Sequence, residues 1–321
     1  MGWYYSYYFV MGRNFMFVSF SLYLILCFFT LSSCFSVENE NTIHPSEIVD
    51  YPVQVPILGD SVRVVVLGNS FSIDATTYLR DLVASAGLDT TRICVYNGVI
   101  NGGSISDWVE LYNSGQNKTF TKMAGSGPDL LWAPVSDVLQ RRWDVCVLLQ
   151  SSAVSYSWDS FEGVLDEMVS IVRANCPVKN LVMAYAMPWS HTIDSHPREF
   201  DGNVKCAIRL SRDYGMRVIP VGIAVQNARN THLDNGLYLT RDKWHLCYGV
   251  GRYVAACTWF QVLFGDAFGV SVLNNRALHA ITEEEMSAEG NLPVDASNQL
   301  LCQKCAYKAV KHPFVVTQVE Q

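Results

Sequence analysis

Three short segments of this 321-residue chain hold residue types that nucleophilic chemistry requires. Gly68-Asn69-Ser70 follows an apolar run and precedes a helical pattern. A serine at such a turn lies at the positive end of a helix dipole, where its own backbone N–H can meet a developing oxyanion. Serine before a helix is also a common N-cap, so capping explains the segment equally well in isolation. Asp242-Lys243-Trp244-His245 lies in a loop late in the chain, before a long apolar helix. That spacing on a turn lets the carboxylate accept from one imidazole nitrogen while the other faces a nucleophile. A surface aspartate and a satisfied histidine are the plain alternative. In Asn101-Gly102-Gly103-Ser104 the paired glycines either turn the chain or bring an N–H to an oxyanion.

Positioning these segments is the task of a strand and helix alternation. β-Branched and apolar runs at residues 62–67, 92–96, 144–149, 180–184 and 216–221 read as buried strands. Helical patterns at 73–86, 135–141, 161–174 and 248–264 fall between or after them. This order predicts an α/β fold, three layers deep (α/β/α), around a mainly parallel five-stranded sheet. Open sheets of this kind place their sites at the carboxyl ends of the strands, where Ser70 and the Gly102-Gly103 turn fall. Beyond Gly265 the pattern changes, with helices expected from Thr282 and over 296–310. The predicted organisation is 1–33 export signal, 34–60 tether, 61–265 main domain and 266–321 helical appendage.

The first of these divisions rests on an apolar block at residues 15–30, preceded by Arg13 and followed by Leu31-Ser32-Ser33-Cys34. A charged start, an apolar stretch and small residues before a cleavage point read as a signal peptide. The tetrad resembles a bacterial lipobox, with Cys34 as the lipidated residue and the membrane as the partner. A single spanning helix is the alternative. Either reading puts the domain outside the cytoplasm, and the lipobox reading anchors it in the bacterial cell envelope. The net charge of −7, without a basic stripe, argues against nucleic acid as a partner. Cys302-Gln-Lys-Cys305 has half the spacing of a zinc site but lacks a second pair, so no metal and no other cofactor is expected.

Taken in order, Gly68-Asn69-Ser70, the Gly102-Gly103 turn and Asp242-x-x-His245 resemble the blocks of the SGNH (GDSL-type) hydrolases. GNSFS and the run from Leu239 to Phe264 are most similar to a bacterial branch described only as a domain of unknown function. The resemblance spans roughly residues 62–265 and implies a flavodoxin-like SGNH fold. It also implies a serine esterase with Ser70 as nucleophile, His245 as base and Asp242 as its orienting carboxylate. Ser70, Gly102 or Gly103, and Gln150 would hold the oxyanion. Two departures stand out. Gly-Asn-Ser replaces the usual Gly-Asp-Ser, and Gln150 stands where the third block has asparagine, with the same donor on a longer arm. Trp189, His191 and Trp244 are candidates for the substrate pocket. Many family members deacetylate carbohydrates, so acetyl esters of glycans are the expected substrates. A lipase or thioesterase of this fold, or a glycan-binding lipoprotein without activity, are the alternatives.

Overall fold

The computed structural model describes residues 51–191, 196–234, 236–278, 282–287 and 291–320. The signal, Cys34 and the tether up to residue 50 lie outside the described residues. The first strand, β1 (Val62–Gly68), is buried along its length except at Arg63. Such a continuous apolar run, without alternation, is what a strand covered on both faces needs. It pairs in parallel with β2 (Ile93–Val99), Val62 opposite Ile93, and on its other side with β5 (Val145–Leu148). β6 (Val182–Ala186) and β7 (Arg217–Ile219) extend the sheet in the same sense. The five expected strands are therefore all parallel neighbours.

Two further strands, absent from the sequence expectation, widen the sheet to seven. β3 (Asn117–Gly125) and β4 (Leu130–Pro134) form an antiparallel hairpin on the β2 edge, giving the order β4-β3-β2-β1-β5-β6-β7. Without that hairpin the order is that of doubly wound flavodoxin-like sheets, whose sites lie beside the first strand.

Helices cover both faces. On one side α1 (Ser70–Thr76), α2 (Leu79–Ser85), α7 (Val221–Arg229) and α10 (Gln299–Lys311) all pack against the long α8 (Val250–Phe268). On the other, α3 (Ile105–Ser114), α4 (Val135–Leu139) and α5 (Val164–Asn175) pack together. Tyr214, closing α6 (His196–Tyr214), donates to Asp166 of α5 at 2.8 Å. The short α9 (Glu283–Ser287) is exposed. The core centre is α8, fully apolar from Val254 to Cys257 and again at Trp259 and Phe260. The carboxyl-terminal α10 is joined to it by the Gln303 amide, which donates to the Tyr253 hydroxyl at 3.0 Å. Residues 51–57, read from sequence as the end of a tether, lie on the domain: Ile57 is buried, and Gln54 accepts from the Val218 N–H at 2.7 Å. Among the described residues all eight cysteines are free thiols.

Candidate active site

The strand-to-helix turn after β1 is built for close approach. At Gly68 an added Cβ would stand 2.2 Å from the Ser72 hydroxyl, so only glycine lets α1 start this near the strand. Asn69 caps α1, its Oδ1 accepting from the Phe71 N–H at 3.1 Å, and Ser70 becomes the first helical residue. The other end of the same side chain joins three loops. Asn69 Nδ2 donates to the Gly103 carbonyl at 3.0 Å and to the Gln150 carbonyl at 3.1 Å. The turns after β1, β2 and β5 are thus fastened by one buried carboxamide, which explains why an amide suits this position: a carboxylate cannot donate.

His245 reaches Ser70 from a gap of 175 positions, and the serine hydroxyl donates to its Nε2 at 2.9 Å. His245 Nδ1–H donates in turn to Asp242 Oδ2 at 2.7 Å, the partner that fixes this tautomer. The same carboxylate shapes the loop, Oδ1 accepting from the Trp244 and His245 N–H groups at 3.0 and 2.7 Å. Partial burial alone would raise the Asp242 carboxyl, but the bonds from the His245 N–H, its ring and the Trp244 N–H outweigh this and hold it below the ordinary carboxylate range. The turn is tight enough to place Lys243 in the left-handed region, at φ 74°.

Beneath this loop lies a cluster that the sequence reading missed. Asp74, on α1 one turn after Ser70, is completely buried. Its carboxylate accepts from Arg241 Nη1 at 3.1 Å, from Arg252 Nε and Nη2 at 2.9 and 2.8 Å, and from the Leu246 N–H at 2.9 Å. Both guanidinium groups stand 4.5 Å from the centre of the Tyr248 ring. Arg241 also donates to the Leu246 carbonyl, so both ends of the His245 loop are tied to the helix that presents Ser70. The signal available was an aspartate within an apolar helical face, four residues after the serine.

Two of the proposed oxyanion donors are already engaged. The Gly103 N–H donates to the Ile100 carbonyl at 2.9 Å, closing its turn. Gln150 does not reach the serine with its amide: Nε2 donates to Ser160 O at 2.8 Å and Oγ at 3.3 Å. Its Oε1 accepts from the Ile105 and Ser151 N–H groups. This residue is a bracket between loops, because its longer arm carries the amide past the position an asparagine would occupy. Gly102, at φ 65°, and Ser70 are different: among the described residues neither backbone N–H donates to a protein acceptor.

The three pocket candidates separate as well. Trp189 is buried, stacked on Phe71 with ring centres 3.9 Å apart, and donates to the Trp244 carbonyl at 2.7 Å. His191 is also buried, with Nδ1 3.4 Å from Glu199 Oε2, and burial, opposed by Glu199, lowers its basicity. Neither offers surface to a substrate: Trp189 supports the His245 loop through Trp244, and His191 packs edge-on against Phe71 beside Glu199. Trp244 alone is open, 54% exposed beside His245.

By fold the protein is an α/β protein of the doubly wound class, with its candidate site at the carboxyl end of the central strand. The chain belongs to the family described as Domain of unknown function (DUF4886), whose model matches residues 63–287. It is similar to a DUF4886 family protein from Bacteroides uniformis, with 26% identity and a TM-score of 0.67, covering 81% of this chain and 98% of that one. It also matches a catalytic mutant of Axe2, an acetylxylan esterase from Geobacillus stearothermophilus, at 11% identity and TM-score 0.47, covering 66% of this chain and 96% of that one. LAE5, an alpha/beta hydrolase from the metagenome of Lake Arreo, matches at 14% identity and TM-score 0.47, over 66% of this chain and 99% of that one. No curated protein matches.

Proposed function

We propose that this protein is a serine hydrolase of the SGNH type that cleaves carboxylic esters by acyl transfer to water. The observation that carries the reading is the continuous chain Ser70 Oγ, His245 Nε2, His245 Nδ1, Asp242 Oδ2, with links of 2.9 and 2.7 Å. Ser70 Oγ attacks the ester carbonyl while its proton passes to His245 Nε2, and Asp242 stabilises the imidazolium. The oxyanion is met by the N–H groups of Ser70 and Gly102. Collapse expels the alcohol, which takes the proton from His245, and leaves an acyl-serine. Water, deprotonated by the same imidazole, then releases the acid and restores the hydroxyl.

The substrates in this reading are acetyl esters of carbohydrates, supported by the exposed Trp244 indole beside the base. A flat aromatic face suits the C–H face of a sugar ring. In the same reading the protein is exported, and Cys34 bears the lipid that holds it to the envelope.

Hydrolysis of p-nitrophenyl acetate tests the chemistry. Ser70→Ala should lower kcat/KM by roughly 10⁴-fold, and a fluorophosphonate should label Ser70 in the wild type only. Equal, background rates in both proteins would end the hydrolase reading. One observation favours a second reading, a glycan-binding lipoprotein without turnover: the Gln150 amide is engaged by Ser160, leaving two oxyanion donors and no third from this residue. That reading expects acetylated oligosaccharide to bind wild type and Ser70→Ala alike, with no acetate released by either.

A further inference from the structure

Arg217 opens β7 at its amino end, whereas Ser70 follows the carboxyl end of β1, and the parallel strands put these residues at opposite ends of the sheet. The arginine is only 6% exposed. Among the described residues its guanidinium donates to no acceptor and forms no ion pair, and its buried Nε has no partner. Nε is sealed off, whereas the two Nη groups are open to solvent, and because a largely buried charge without a partner is costly, an anion that meets those groups would be bound favourably. Burial pulls its basicity down, and Asp266 is the charge that opposes this.

Space for an acceptor is present. Arg217 lines a cavity of about 370 Å³, shared with Tyr51, Gln54, Gln261, Asp266 and Lys311. At about 30 Å³ for each water, this holds a small organic molecule rather than a single solvent site. Its walls are fixed. Gln54 holds the amino-terminal segment by donating to Ser211 Oγ at 2.8 Å, and Tyr51 stacks on Phe314 with ring centres 5.5 Å apart. Gln261 accepts from the Val272 N–H at 2.8 Å, while its own amide group donates to no described acceptor. The cavity therefore offers a guanidinium fork, an amide donor, an ammonium and an aromatic wall.

We infer that this cavity binds a small monocarboxylate with a flat apolar body. The guanidinium fork matches a carboxylate in two parallel bonds. Arg217 and Lys311, with His312 in the same wall, against the single carboxylate of Asp266 leave at least one positive charge uncompensated, which a monoanion balances. A phosphate dianion would overshoot this balance and meet Asp266. The site is independent of the hydrolase reading and is assigned no part in turnover.

Calorimetric titration of the full chain tests it, with benzoate as probe, benzyl alcohol as its uncharged counterpart and inorganic phosphate as the dianion. Benzoate should bind saturably, benzyl alcohol at least tenfold more weakly, and phosphate no more tightly than benzyl alcohol. Arg217→Met should weaken benzoate at least tenfold. Because that change lies inside a strand, Asp266→Asn at an exposed position provides the second arm, and should tighten benzoate about threefold by removing a like charge. Ser70→Ala should leave the affinity unchanged. No saturable benzoate binding, an affinity indifferent to Asp266→Asn, or phosphate binding more tightly than benzoate would each overturn the assignment. Loss of benzoate binding in Ser70→Ala would also overturn it, by moving the ligand to the other end of the sheet.

Discussion

Ser70 stands on the first turn of a helix that directly follows a buried strand, whereas His245 stands near the tip of a loop whose neighbours Asp242, Lys243 and Trp244 are all exposed. The serine is positioned by contiguous sequence: a glycine that admits the helix, an asparagine that caps it, and the strand behind. The histidine is positioned by remote ionic contacts, through Arg241 and Arg252 to Asp74 on the serine's own helix. Local geometry thus suffices for the nucleophile, while the base depends on a buried charge cluster that measures the distance between two parts of the chain. A short element can be encoded in a few residues, but a loop that must meet it needs a rigid reference, and here that reference is α1.

Asp74→Asn should break the comparison most severely. Removing the carboxylate leaves two partly buried guanidinium groups facing a neutral amide, and among the described residues only Arg252 has another carboxylate near, Glu285 at 3.8 Å. Loss of one member of a buried ion pair costs up to about 3–5 kcal/mol. Urea unfolding should read that loss. Below the transition, in protein that is still folded, kcat/KM should fall by roughly 10²-fold, because a displacement near 1 Å at a reacting group has such an effect. If stability falls while the folded variant keeps its full rate, then the His245 loop is held by other contacts and the distinction between the two sides disappears.

On the serine side the matching change is Asn69→Asp, and its effect should be smaller. The carboxylate can still cap α1 by accepting from Phe71, but it cannot donate to the Gly103 and Gln150 carbonyls. Leaving buried carbonyls without their donor costs about 1–3 kcal/mol. Since the helix start survives, the serine should stay in place, and kcat should fall by less than in Asp74→Asn. A larger loss of rate in Asn69→Asp than in Asp74→Asn would reverse the comparison, and would mean that the three-loop fastening matters more than the clamp.

How much of this was legible in the sequence follows the same division. The five parallel strands were readable because burial on both faces makes them uniformly apolar, and their carboxyl ends mark where a site belongs. The β3–β4 hairpin was not, because β3 mixes Asn, Lys and Thr with scattered apolar residues, and on the edge strand β4 both Leu130 and Trp132 are exposed. Ser70, Asp242 and His245 could be picked out by type and spacing, yet their meeting depends on packing. Gln150 was misplaced because residue type tells what a side chain can donate and says nothing of which acceptor is nearer. Trp189 and His191 show a related limit: an aromatic after a strand can face the site or lie beneath it, and only the packing on Phe71, stacked for Trp189 and edge-on for His191, places both beneath. The charge cluster was hidden because Arg241 and Arg252 read as ordinary surface cations until the fold supplies Asp74.

The smallest expected effect concerns the tip of the loop rather than its base, and it depends on pH. Asp242 has its carboxyl held below the ordinary value, so its bonds stabilise the fold fully above the unfolded carboxylate value of about 3.9. That contribution is lost as pH falls further, through the lower value of the folded state. Asp242→Asn keeps an acceptor for the backbone N–H groups but removes the charge, so the difference in Tm between wild type and variant should be present at neutral pH and vanish in acid. Its side chain is 41% exposed, and solvent screens such a pair, so the difference at neutral pH should be a small fraction of that caused by Asp74→Asn. A Tm difference of equal size in the two variants would show that the exposed tip bears as much of the fold as the buried clamp. A difference that persists unchanged to pH 2 would show that the Asp242 charge contributes nothing, and that its role in stability is only to shape the turn.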